Sequence, residues 1–221
     1  MVQSIVSRLA FWRTPLAACA LLTFIRLCQC RLVLTHRSVI HKLVLIDVGP
    51  LLHHPGIVRI STYAAAGPIV AATIAELGVI YRDRFSTMQK LSAAMTDRFV
   101  VHHARRMDCG KWTMHTDPAA PANLKNDVLD IVSPSPKEHP WVAFEMVACP
   151  VLVVRGASSD LLSVEIVDGM KAHQVPGRVL SVEIPDAGHV PLLQTPLEFD
   201  ALFSFAERED FPPSERIHAA P

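Results

Sequence analysis

CPVLVVRGASSDLLS, Cys149 to Ser163, is the stretch on which the fold turns. Val151 to Val154 is an unbroken apolar run, the composition of a strand covered on both faces, and Arg155-Gly156 ends it. A helix is then predicted from about Val164 to His173, with Ile166, Val167 and Met170 on one face and Glu165, Asp168 and Lys171 elsewhere. Leu180 to Ile184, stopped by Pro185, reads as the next strand. Strand, helix, strand in that order is the unit from which parallel sheets are built.

Upstream, Lys42 to Ile46 is a further short apolar strand, stopped by Asp47-Val48-Gly49-Pro50. Downstream, Thr195-Pro196-Leu197-Glu198 reads as a capping box with proline in the first turn, and Phe199, Leu202, Phe203 and Ala206 follow at helical spacing. The fold class is therefore α/β with a parallel sheet. From about Leu51 to Ala148 no good strand is visible. The clearest helical stripe there carries Phe85, Met88, Leu91, Ser92, Met95 and Phe99, expected to be core packing, as are Trp112 and Trp141. This region reads as a helical insertion, with Pro118 to Pro140 looping back toward the sheet. The expected organisation is a divergent apolar segment at 1–36, the α/β domain at 37–210 with its insertion at about 51–148, and a loose tail at 211–221.

The chain has 221 residues, half of them apolar, and 21 basic side chains balance 21 acidic ones. That length supports one domain with a sizeable core, and the balance leaves no field to recruit nucleic acid or an anionic membrane. A small neutral or apolar ligand is the expected partner. Five unpaired-looking cysteines, Cys19, Cys28, Cys30, Cys109 and Cys149, argue against a disulfide framework and for the cytoplasm. Arg8 and Arg13 precede an apolar run from Pro15 to Ile25, but the run is too short to span a bilayer and Arg26 and Arg31 follow it, so stable membrane insertion is not expected. No metal or other cofactor is expected: Cys28-Gln29-Cys30, His53-His54 and His102-His103 each lack further ligands at metal-site spacing, and there is no Gly-rich phosphate loop.

Parallel strands end at one edge, and ligands bind in the crevice outside those carboxyl ends. Asp160 stands in the loop after the strand ending near Arg155, and His189 in the loop after the strand ending at Ile184. An imidazole serves as base for a weak hydroxyl nucleophile, and a carboxylate fixes its tautomer and supports its cationic form. Asp160 and His189 are accordingly the candidate catalytic residues.

LVLIDVGP at Leu43–Pro50, the Cys149–Ser163 stretch and PDAGHVP at Pro185–Pro191 together resemble the last strands of the α/β-hydrolase family. The resemblance runs from roughly Arg37 to Glu207. It implies a partial α/β-hydrolase-like parallel sheet with a helical cap insertion over the site, Asp160 in the place of the triad acid and His189 in that of the triad histidine. It further implies acyl transfer on small ester-type substrates. The family's Gly-x-Ser-x-Gly nucleophile turn has no match in this sequence, nor has its oxyanion loop. By the same resemblance, the run from Pro15 to Leu27 corresponds to the helix after that turn and is expected against the sheet face. The strand at Leu43 is then expected to present an open apolar edge, suited to self-association. Two functions follow: an esterase-like hydrolase, or a non-catalytic relative that binds a small apolar ligand or a partner chain.

Overall fold

Four parallel strands make the sheet that carries the site. The computed structural model describes residues 19–22, 40–85, 92–115, 140–189 and 196–211. In chain order the elements are β1 (Cys19–Leu22), β2 (Lys42–Ile46), α1 (His54–Ala65), β3 (Val70–Ala71), α2 (Ile74–Arg84), α3 (Ala93–His103), β4 (Ala104–Arg106), β5 (Trp112–Met114), α4 (Pro140–Glu145), β6 (Val151–Gly156), α5 (Val164–Ala172), β7 (Val179–Ile184) and α6 (Pro196–Glu207). Cys28 to Cys30, Met88, Leu91, the stretch 118–139, Thr195 and the tail from 212 lie outside the described residues.

The sheet order is β1-β2-β6-β7, with Cys19 opposite Lys42, Leu43 opposite Val151 and Val151 opposite Val179. Because side chains alternate along a strand, the apolar runs supply two cores at once. Leu43, Leu45, Val151, Val153 and Val179 face one layer, closed by Phe144, Val147, Leu162, Val167 and Met170. Val44, Ile46, Leu152, Val154 and Ile184 face the other, closed by Phe205 of α6. Ser163 caps α5 by accepting a hydrogen bond from the Ile166 N–H at 3.3 Å.

Three expectations change. Cys19–Leu22 is a strand beside β2, not a helix against the sheet face, and β2 is therefore paired on both sides instead of presenting an edge. The reason is physical: all five residues of β2 are buried, and buried backbone N–H and C=O groups need partners on either flank. Second, the region between β2 and β6 contains strands after all. β3, β5 and β4 form a small antiparallel sheet, too short to leave a periodic signal. Third, the Phe85–Phe99 stripe is divided between two helices. Phe85 follows the last turn of α2 and Phe99 lies in α3, and both rings pack on Tyr81, at 4.7 and 5.5 Å between centroids. Leu77, Val100, Ile69 and Trp112 complete that separate core. No helix among the described residues is long and apolar enough to cross a membrane.

Candidate active site

The loops after β2, β6 and β7 meet at the carboxyl edge of the sheet. Asp47 follows the last residue of β2, is fully buried, and takes a left-handed backbone with φ 51°, which aspartate tolerates better than most residues. Its backbone N–H still bonds the Val154 carbonyl at 2.7 Å, so the turn begins without losing the sheet. The carboxylate accepts three hydrogen bonds. Oδ1 takes the Gly156 N–H at 3.0 Å; Oδ2 takes the Ser159 hydroxyl and, at 2.8 Å, Nδ1 of His189. A carboxylate on Nδ1 keeps the proton there and leaves Nε2 as the acceptor, the tautomer a general base needs.

Asp160 is held differently. Arg59 of α1 donates Nε to its Oδ2 and Nη2 to its Oδ1, both at 2.6 Å. Burial opposes ionisation of this carboxyl, and the hydrogen bonds and charge of Arg59 overcome it, so Asp160 titrates below the usual aspartate range. The sequence reading pairs Asp160 with His189. In the structure the carboxylate on His189 is that of Asp47, while Asp160 stands near enough for the His189 charge to bear on it. The same rule of strand ends that selects Asp160 also covers Asp47, the first polar residue after a wholly apolar strand. Its place in Asp47-Val48-Gly49-Pro50 reads equally well as a turn, which is how it escapes notice.

Ser159 joins the two acids. Its hydroxyl donates to Asp47 and accepts from the Leu161 and Leu162 N–H groups, each at 3.1 Å, so it orders the loop. Gly156 lets that loop approach the one bearing His189: a Cβ there would lie 2.1 Å from the Gly188 carbonyl oxygen. Ser158 N–H bonds the Ala187 carbonyl at 2.9 Å across the same gap. The start of α1 docks alongside, with Gly56 N–H on the Asp160 carbonyl and a Cβ at Gly56 only 2.7 Å from that oxygen.

None of the other histidines singled out has a side-chain hydrogen bond to Asp47, Ser159, Asp160 or His189 among the described residues, although the His53 backbone N–H bonds the Leu161 carbonyl at 2.7 Å. His53, His54, His102 and His103 are exposed, and His103 stacks on Phe99. Trp141 packs over Gly169 and stacks on His173. Among the described residues no group of three His, Cys, Asp or Glu side chains is placed to hold a metal ion.

A parallel sheet with strand-end loops that bring a buried carboxylate onto a histidine agrees with what solved structures show of the chain: it has the α/β-hydrolase fold. It is similar, at 32% identity over 171 residues, to a 3-hydroxybutyrate-oligomer hydrolase of Cupriavidus necator, the match covering 73% of this chain and 55% of that protein. Among solved structures, an α/β hydrolase from Novosphingobium aromaticivorans superposes with a TM-score of 0.68 at 23% identity, over 86% of this chain and 65% of the other. E-2-(acetamidomethylene)succinate hydrolase does so with a TM-score of 0.64 at 19% identity, over 79% and 60%. At those identities the structures speak for the fold alone. The chain spans about half the length of the curated relative. No protein-family model matches it.

Proposed function

We propose that this chain supplies the acid and base of an ester hydrolase acting on small, uncharged ester-type substrates. The observation that carries the proposal is the 2.8 Å contact of His189 Nδ1 with the fully buried Asp47 at the carboxyl edge of the sheet. In this reading Asp47 positions the ring. His189 Nε2 takes the proton of an attacking hydroxyl as its oxygen bonds to the ester carbonyl carbon, then gives that proton to the departing alcohol. Water repeats the sequence on the acyl ester and releases the acid. Asp160, locked to Arg59, keeps the β6–α5 loop in place, and the region between β2 and β6 serves as the cap. The curated relative is named for oligomers of 3-hydroxybutyrate, whose units are joined by ester bonds. The cysteine pattern favours the cytoplasm as its place of work.

A second reading has a specific observation behind it: the sequence contains no Gly-x-Ser-x-Gly, and the Ser159 hydroxyl is committed to Asp47 and two backbone N–H groups. In that case the same crevice binds a small apolar ligand without turnover. Hydrolysis of short-chain p-nitrophenyl esters by the purified chain, beside His189→Ala, separates the two. Turnover that disappears in the variant supports the hydrolase. Turnover equal in both refutes it.

A further inference from the structure

Among the described residues the only ion-pair partner of Asp47 is His189, so no lysine or arginine offsets the burial of this carboxylate. Its donors are the Gly156 N–H on Oδ1 and, on Oδ2, the Ser159 hydroxyl and His189 Nδ1. A buried carboxylate met only by such donors depends on each of them. A serine oxygen has one proton and two lone pairs. At Ser159 both lone pairs are taken, by the Leu161 and Leu162 N–H groups at 3.1 Å each, so the single proton is left for Asp47. The residue is also anchored through its backbone. Its own N–H bonds the Gly156 carbonyl at 2.9 Å, and the next residue, Asp160, is clamped by Arg59. Swinging the hydroxyl toward an incoming ester would strip two backbone N–H groups of their acceptor.

That arrangement suits a group that aims a carboxylate, not one that attacks a substrate. Without the hydroxyl, Oδ2 would keep only the ring, and the carboxylate could turn about the Gly156 N–H on Oδ1 and carry Oδ2 away from Nδ1. Two N–H groups donating into the hydroxyl oxygen also polarise its O–H, which strengthens the bond it gives. We propose that Ser159 is a positioning residue for ester hydrolysis: its directed proton fixes the Asp47 carboxylate against His189 Nδ1. This role is distinct from ordering the loop, which the bonds accepted from Leu161 and Leu162 accomplish. It rests on the ester-hydrolase reading of the same crevice.

The test is a double-mutant cycle on the full chain, with Ser159→Ala, Asp47→Asn and both together. The first readout is the ratio of Nδ1–H to Nε2–H tautomers of His189, from its imidazole ¹⁵N shifts near neutral pH. The second is kcat and KM for a short-chain p-nitrophenyl ester. Ser159→Ala should lower the tautomer ratio about tenfold and kcat about tenfold with KM unchanged, the worth of one hydrogen bond to a charged group. Ser159→Thr, which retains the hydroxyl, should stay within about threefold of wild type. In the Asp47→Asn background, Ser159→Ala should move the ratio by less than about twofold, because the carboxylate through which it acts is gone. An unchanged ratio in Ser159→Ala, or the same factor in both backgrounds, would reduce Ser159 to loop order and overturn the proposal. Should Ser159→Ala not fold, the wild-type hydroxyl proton decides. A slowly exchanging signal with a nuclear Overhauser effect to the His189 Nδ1 proton is expected, and a signal lost to exchange with water overturns the proposal. Turnover is scored separately. A tautomer shift coupled to Asp47 without turnover removes the hydrolase reading and leaves this one, and turnover without that coupling does the reverse.

Discussion

Asp47 combines zero exposure, a left-handed backbone and three incoming hydrogen bonds, and each makes it hard to replace. Asp47→Asn keeps the shape but offers an amide toward one of its donors, so it should lower ester hydrolysis by about 10³–10⁴-fold through loss of the correct His189 tautomer. Asp160→Asn should lower it far less, since Asp160 does not touch the ring. Its effect belongs to stability and pH. The Asp160 carboxyl is held below its usual range, against the opposing effect of burial, by Arg59. A depressed folded value lends stability that is complete above the unfolded value, near 3.8, and is lost as pH falls through the folded one. Urea titrations of wild type and Asp160→Asn should therefore differ by a constant amount above about pH 5, with the difference starting to shrink only as the pH falls below about 4. The place of His189 was legible from sequence because it stands in the loop directly after a recognisable strand, where ligand-facing residues gather in parallel sheets. Asp47 was not, because Asp-x-Gly-Pro is also what a plain turn looks like.

At the scale of elements, β2, β6 and β7 and the last two helices could be read because those three strands are wholly or alternately apolar and have glycine or proline in the turns that follow or precede them. What could not be read is what depends on partners. In α6 the expected inward stripe included Phe199 and Phe203, yet both are about half exposed and the helix instead turns Glu198, Leu202 and Phe205 inward. Lys42 explains part of that rotation. Its ammonium donates to the Ala206 and Arg208 carbonyls at 2.5 and 2.6 Å and lies over the Phe205 and Phe211 rings, so β2 holds the helix by its negative end. Lys42→Met should cost about 1–2 kcal/mol in thermal or urea unfolding, with α6 gaining hydrogen exchange before the rest. Gly156→Ala should cost at least about 1–3 kcal/mol, because the opposing atom at 2.1 Å is the Gly188 backbone, which cannot yield without moving His189. Its melting temperature and its ester turnover should fall together.

Across the whole molecule, the centre is assembled from three loops far apart in sequence, and only the parallel order β2-β6-β7 makes Asp47 and His189 neighbours across 142 residues. Among the described residues β1 and β7 end the sheet, so any pairing of sheets between copies would use β1 or β7 and not β2. The account's central claim is that Asp47, and not Asp160, holds His189. The direct measurement is the pair of imidazole ¹⁵N shifts of His189 near neutral pH, assigned by loss of the signals in His189→Ala, in wild type, Asp47→Asn and Asp160→Asn. The account predicts an Nδ1–H tautomer in wild type that survives Asp160→Asn and is lost in Asp47→Asn. A tautomer that survives Asp47→Asn and collapses in Asp160→Asn would contradict it.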